Sequence, residues 1–124
     1  MEALRVAVLS KPDGIPVQCL KGTPQECESL AVAGSVAYGA IRPLEDVYLK
    51  RILRIEAEYG EYNLLVTSVN GDTLLCVLAS KSVPLGKVHL AVRLLEQQLA
   101  YDATKKTYIE NCLEVRIPHV PIDV

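Results

Sequence analysis

The 124 residues fit one domain with a core of its own, needing neither a metal nor a disulfide to fold. Half of them are apolar, yet there is no Trp or Phe and there are six Tyr, so Leu, Val, Ile and Ala must build the interior. A formal charge of −2 argues against a nucleic-acid protein, which normally carries a basic patch to neutralise phosphates.

The longest apolar run, Leu74 to Ala79, falls far short of the roughly 20 residues that span a bilayer. The opening MEALRVAVLS has no basic n-region followed by an apolar stretch and a small-residue cleavage site, so a cytoplasmic location is expected. Cys19, Cys27, Cys76 and Cys112 form no C-x-x-C pair. Zinc and disulfide readings are therefore weak, and all are expected to be buried or half-buried free thiols.

In chain order, Leu4 to Ser10 is apolar on both faces apart from Arg5, as a strand inside a sheet is. KPDG supplies turn chemistry, and IPVQCLK returns as a second strand. Pro16 cannot donate to a ladder, which puts that strand at an edge. Thr23, Pro24 and Glu26 then stand as N-cap, first helical residue and reciprocal carboxylate of a capping box. In the helix they open, Leu30, Ala33, Gly34, Ala37, Ile41 and Leu44 make one stripe, and Val32, Val36 and Ala40 make a second beside it. Their combined arc of roughly 200° exceeds the ~100° that one sheet contact needs, so something besides its own sheet should cover this helix. Pro43 ends or kinks it, leaving LEDVYL as a further turn or two.

Leu53, Ile55, Ala57 and Tyr59 alternate with Arg54, Glu56 and Glu58, the period-two pattern of a half-buried strand. Gly60 and Glu61 turn the chain into Tyr62 to Val69, and Asn70-Gly71 reads as a two-residue type I′ turn into Asp72 to Ser80. That last strand is apolar on both faces and so central. Pro84-Leu85-Gly86 opens a helix with Val88, Ala91, Val92, Leu95 and Leu99 on its sheet-facing stripe. Leu90, Leu94 and Tyr101 form a second stripe that also wants cover. Asp102 is placed to cap a further helical piece carrying Tyr108, Ile109, Cys112 and Leu113, although EVRI reads equally as a short strand. In either form residues 104–117 are expected to fold back on the last helix, before a tail extended by Pro118 and Pro121. The order is β-β-α-β-β-β-α: an α/β sandwich with a five-stranded, mainly antiparallel sheet and a long helix on each face.

Chemistry finds little support. His89 and His119 have no ligand partner at metal spacing and are expected to be exposed. Ser68, Ser80 and Ser82 lie outside any nucleophile elbow, and no glycine-rich phosphate loop exists. Glu56 and Glu58 share one strand face, which reads as a solvated face and not as an acid/base pair.

In this order, VAVLSKPDGIPV, the small-residue helix, YNLLVTSVNGDTLLCVLAS and VPLGKVHLAVRLLEQQL resemble the roadblock family, the dynein light-chain type domain that partners Ras-like GTPases. The resemblance implies a profilin-like or roadblock-like fold over residues 1–102, with residues 103–124 as a C-terminal extension. It implies a homodimer, or a heterodimer with a related subunit, in which third strands pair and small-residue helices meet. The residues placed there are Val32, Val36, Ala40, Leu53, Arg54, Ile55, Glu56 and Ala57. It also implies a non-catalytic docking module for a Ras-like GTPase or a complex holding one, without a cofactor. An arginine finger from Arg42, Arg51, Arg54 or Arg93 is the less favoured form, each being more simply a solvated charge. The departures are the lack of a helix before the first strand and the extension after the last one. The alternative is a small-ligand sensory domain of PAS or GAF type, against which the apolar central strands VAVL and LLCVLA count.

Overall fold

The computed structural model describes residues 2–70 and 72–116, and beyond Ala100 only the course of the backbone. The elements are β1 (Val6–Ser10), β2 (Pro16–Lys21), α1 (Pro24–Ile41), α2 (Pro43–Tyr48), β3 (Arg54–Tyr59), β4 (Tyr62–Ser68), β5 (Leu74–Ser80) and α3 (Leu85–Arg116). The five strands form one sheet in the order β2-β1-β5-β4-β3, antiparallel at every pairing. The proline-bearing β2 and the alternating β3 are thus the two edges, and β1 is buried along its whole length.

Alternation along the inner strands feeds two cores. On one face Val6, Val8, Leu74 and Cys76 pack with Cys27, Leu30, Ala31 and Tyr38 of α1. On the other, Ala7, Leu9, Leu75 and Val77 pack with Val88 and Val92 of α3, flanked by Ala91, Leu95 and Leu99. The protein is therefore an α/β sandwich, with its sheet between α1 and α3.

The capping box is present as read. The Glu26 N–H donates to the Thr23 hydroxyl at 3.1 Å, and the Thr23 N–H donates to the Glu26 carboxylate at 2.9 Å. That backbone donor is the main cause holding the Glu26 carboxyl below its ordinary range, with smaller help from the Thr23 hydroxyl and Arg5 against desolvation. The buried side of α1, however, is rotated from the expected stripe: Ala31, Ser35 and Tyr38 join Leu30 and Gly34, while Ala33 and Ile41 are exposed. Gly34 explains this, because a Cβ there would collide with the Cys76 sulfur at the middle of β5. The helix settles onto the sheet at its glycine. Burial also pushes the Cys76 thiol up to about 12.

Three expectations need correction. Cys19 and Cys27 are joined as a disulfide, with Cα atoms 5.7 Å apart. The chain leaves β2, turns at Gly22 with φ 107° and enters the capping box, which brings an edge-strand thiol against the first turns of α1. Cys76 is free and buried, whereas Cys112 lies outside the described side chains. Second, α3 runs unbroken from Leu85 to Arg116, so residues 104–116 continue the last helix instead of folding back on it. No Pro or Gly interrupts the sequence from Lys87 to Arg116, and nothing there stops a helix. Leu90 and Leu94 remain exposed; the rest of the expected tail, residues 117–124, lies outside the described residues. Third, Ser68 pairs with Leu74 and the Val69 N–H donates to the Thr73 carbonyl at 2.8 Å. The β4–β5 turn therefore takes three residues, 70–72, an odd count that a two-residue type I′ turn cannot supply.

Two outcomes follow from this packing. Opening the Cys19–Cys27 bond, by dithiothreitol or by Cys19→Ser, should cost roughly 2–3 kcal/mol for so short a loop, which is on the order of 10 °C in Tm for a domain of this size. Calorimetry with and without reductant reads it, and an unchanged Tm would contradict the bond. Gly34→Ala should destabilise by about 1–3 kcal/mol through overpacking, and Cys76→Ala in the same chain should recover part of that loss in urea titrations.

Candidate protein-interaction face

The expected interface residues divide into two groups. Arg54, Ile55, Glu56 and Ala57 lie on β3, which pairs with β4 on one side from Arg54↔Thr67 to Tyr59↔Tyr62 and, among the described residues, has no strand on the other. Ile55 is buried in the core that holds Tyr38 and Val66, so only its backbone is available at the edge. Arg54, Glu56 and Ala57 are exposed, and Leu53, just before the strand, is 85 % exposed. On α1, Val32, Val36 and Ala40 are all exposed. At about 100° per residue, Val32 and Val36 lie opposite Gly34 and point away from the sheet, whereas Ala40 shares the flank of Ala33 on the β3 side.

On the α3 side β3 is anchored by charges. The Glu56 carboxylate lies 2.6 Å from the His89 Nε2, and Glu58 lies 3.7 Å from the Lys81 Nζ. His89 is thus half-buried with a carboxylate partner, contrary to the expectation of a free surface histidine. The two residues are 33 apart in sequence, so no local spacing could reveal the pair. His119 lies outside the described residues.

On the α1 side the strand is left bare. The first turns of α1 lie by β2, to which the disulfide ties them, and its last turns bring Tyr38 into the core that holds Ile55. This diagonal course uncovers the opposite corner of the sheet. Val6, Leu78, Leu64 and Ala57 pair in one row across β1, β5, β4 and β3; Val6 is buried, Leu78 and Leu64 half-buried, and Ala57 exposed. Between that row and α1 runs a trough of about 630 Å³, walled by Leu30 and Ala33 and reaching Glu58 and Tyr59 at the β3 edge.

The further turn or two expected after Pro43 is present as α2. None of its residues is buried, although Leu44, Val47 and Tyr48 are large and apolar, and Leu49 after it is 86 % exposed in the left-handed conformation, φ 54°. The Ile52 N–H donates to the Glu45 carboxylate at 2.7 Å, which ties the following turn back to the helix. Among the described residues no group of three or more His, Cys, Asp or Glu could hold a metal ion, and no helix is long and apolar enough to cross a membrane.

No family model matches the sequence, and no curated protein does. Solved structures match the fold. A roadblock/LC7 domain from Streptomyces avermitilis superposes with TM-score 0.73 at 18 % identity, over 82 % of this chain and 87 % of that one. The chain has the roadblock fold. Myxococcus xanthus MglB gives TM-score 0.71 at 19 % identity over 82 % and 85 % of the two chains. The gliding protein MglB of Thermus thermophilus gives 0.70 at 21 % identity over 82 % and 79 %. Within this roadblock fold, the described residues leave the β3 edge and one sheet corner open.

Proposed function

We propose that this chain is a non-catalytic interaction module that dimerises through β3 and docks a small Ras-like GTPase, or a complex containing one, in the cytoplasm. The observation that carries the reading is the unguarded β3 edge. A strand edge offers unpaired N–H and C=O groups to any extended segment, and folded proteins usually blunt it with proline, a bulge or a cover. The other edge, β2, has Pro16 and two register shifts against β1, whereas β3 pairs regularly along its length and has neither. Pairing of β3 with its counterpart would join two sheets of five strands. The interface would hold Leu53, the β3 backbone from Arg54 through Ile55 and Glu56 to Ala57, and Ala40 on the near flank of α1. Val32 and Val36, which point away from the sheet, belong to the outer face that a second helix or a docked partner covers.

Two points support the wider reading. A solved MglB that shares the fold is described in a tetrameric arrangement, which makes association a property of that relative. Roadblock domains, which the sequence resembles, partner Ras-like GTPases. The alternative, a small-ligand sensor, is favoured by the trough, which is large enough for a ligand and mainly apolar.

Sedimentation velocity tests the dimer. The wild type should sediment as a dimer. Ala57→Glu should leave the fold intact, because Ala57 is exposed, but weaken association about tenfold or more by placing like charges beside the two-fold axis. A wild-type monomer carrying a small molecule in native mass spectrometry would support the sensor instead. Titration with Ras-like GTPases, loaded with GDP or with a non-hydrolysable GTP analogue, tests the partner.

A further inference from the structure

We propose that the α2 segment of each subunit, residues 43–53, seats in the trough of the other subunit and closes it. This rests on the β3 dimer proposed above and adds an occupant for the uncovered sheet corner.

Symmetry supplies the placement. When a strand pairs with its own copy in antiparallel fashion, a two-fold axis stands normal to the sheet, so both subunits keep their α1 faces on the same side. The Arg54 end of one β3 then lies beside the Tyr59 end of the other. The trough opens at the Tyr59 end of β3 on the α1 face. The α2 segment leads into the Arg54 end, and Ile52 packs against the core on that same face. The partner's segment is therefore delivered to the mouth of the trough.

The chemistry of the two surfaces agrees. Val47, Tyr48, Leu49 and Leu53 are each more than two-thirds exposed in the single subunit. Such a display is unusual for so many large apolar side chains in one short segment. Leu49 moreover holds a left-handed backbone that leucine seldom adopts, in a turn fixed by the Glu45–Ile52 hydrogen bond. The trough offers Leu64 and Leu78 as its floor and Leu30 on its α1 wall. The segment and its flank carry Arg42, Lys50 and Arg51 against Glu45 and Asp46, and the α1 wall of the trough carries Glu26. Glu26 contacts Arg5 in a surface ion pair, which holds weakly and exchanges readily. Because each copy has both segment and trough, the contact forms twice.

The test is sedimentation equilibrium on a variant with Val47→Asp and Tyr48→Asp. Both side chains are exposed, so circular dichroism and Tm should match the wild type. The dimer Kd should rise about a hundredfold, as when central apolar anchors are lost. An unchanged Kd overturns the α2 placement while leaving β3 pairing intact, whereas a monomeric wild type removes the dimer itself. The trough side gives an independent reading: Ala33→Glu, at an exposed position on its α1 wall, should also weaken the dimer. An unchanged Kd for that variant overturns the pairing of these surfaces, as does a small molecule retained by the wild-type dimer in native mass spectrometry.

Discussion

The approach of α1 to β5 at Gly34 governs the rest of this molecule. With no Cβ in the way, the helix backbone comes down onto Cys76, and the dispersion contacts of a close-packed interior form around that point. The contact sets which side of α1 faces the sheet. It also sets its diagonal course, with one end by β2 and the other near Ile55. A single helix lying obliquely on a five-stranded sheet cannot cover every corner. The bare one falls at the end of β3, where the sheet's hydrogen bonding also stops.

The two edges show opposite solutions to the same problem. At β2, proline, an irregular register and a disulfide to α1 make the strand a poor template. At β3 the ladder is regular and the strand is held in place from the α3 side by Glu56–His89 and Glu58–Lys81. Exposed ion pairs of this kind contribute little to stability. Their effect here is positional, since they keep the charged face of β3 turned toward α3 and its apolar face toward the trough. Among the described residues, a regular edge with no further strand thus lies beside an apolar hollow.

Where sequence reading erred, it did so on contacts between distant residues or on signals of termination. A separation of eight between Cys19 and Cys27 matches no cysteine motif, and only the turn at Gly22 brings the sulfurs together. His89 and Glu56 meet because the start of α3 comes within side-chain reach of the edge strand, a fact absent from either segment alone. The expected break near Asp102 rested on a capping residue, but a cap begins a helix only where the preceding one has ended, and no Pro or Gly ends it. The two-residue turn at Asn70-Gly71 failed by a single residue, because strand register and not the dipeptide sets the loop length.

By itself the sequence determined the local elements: the capping box at Thr23, the proline edge at β2, the alternation along β3 and the buried strands β1 and β5. Those follow from side-chain periodicity and backbone propensity, which act over a few residues and are written in the order of the chain. It also carried the likeness to the roadblock family through the order of those elements. Tertiary structure alone decided which side of α1 meets the sheet, which β3 residues keep a free surface, that α2 buries nothing and that a sheet corner stands open. These depend on the angle at which a helix crosses a sheet. That angle is set by the summed packing of residues far apart in sequence, with Gly34 and Cys76 at its pivot.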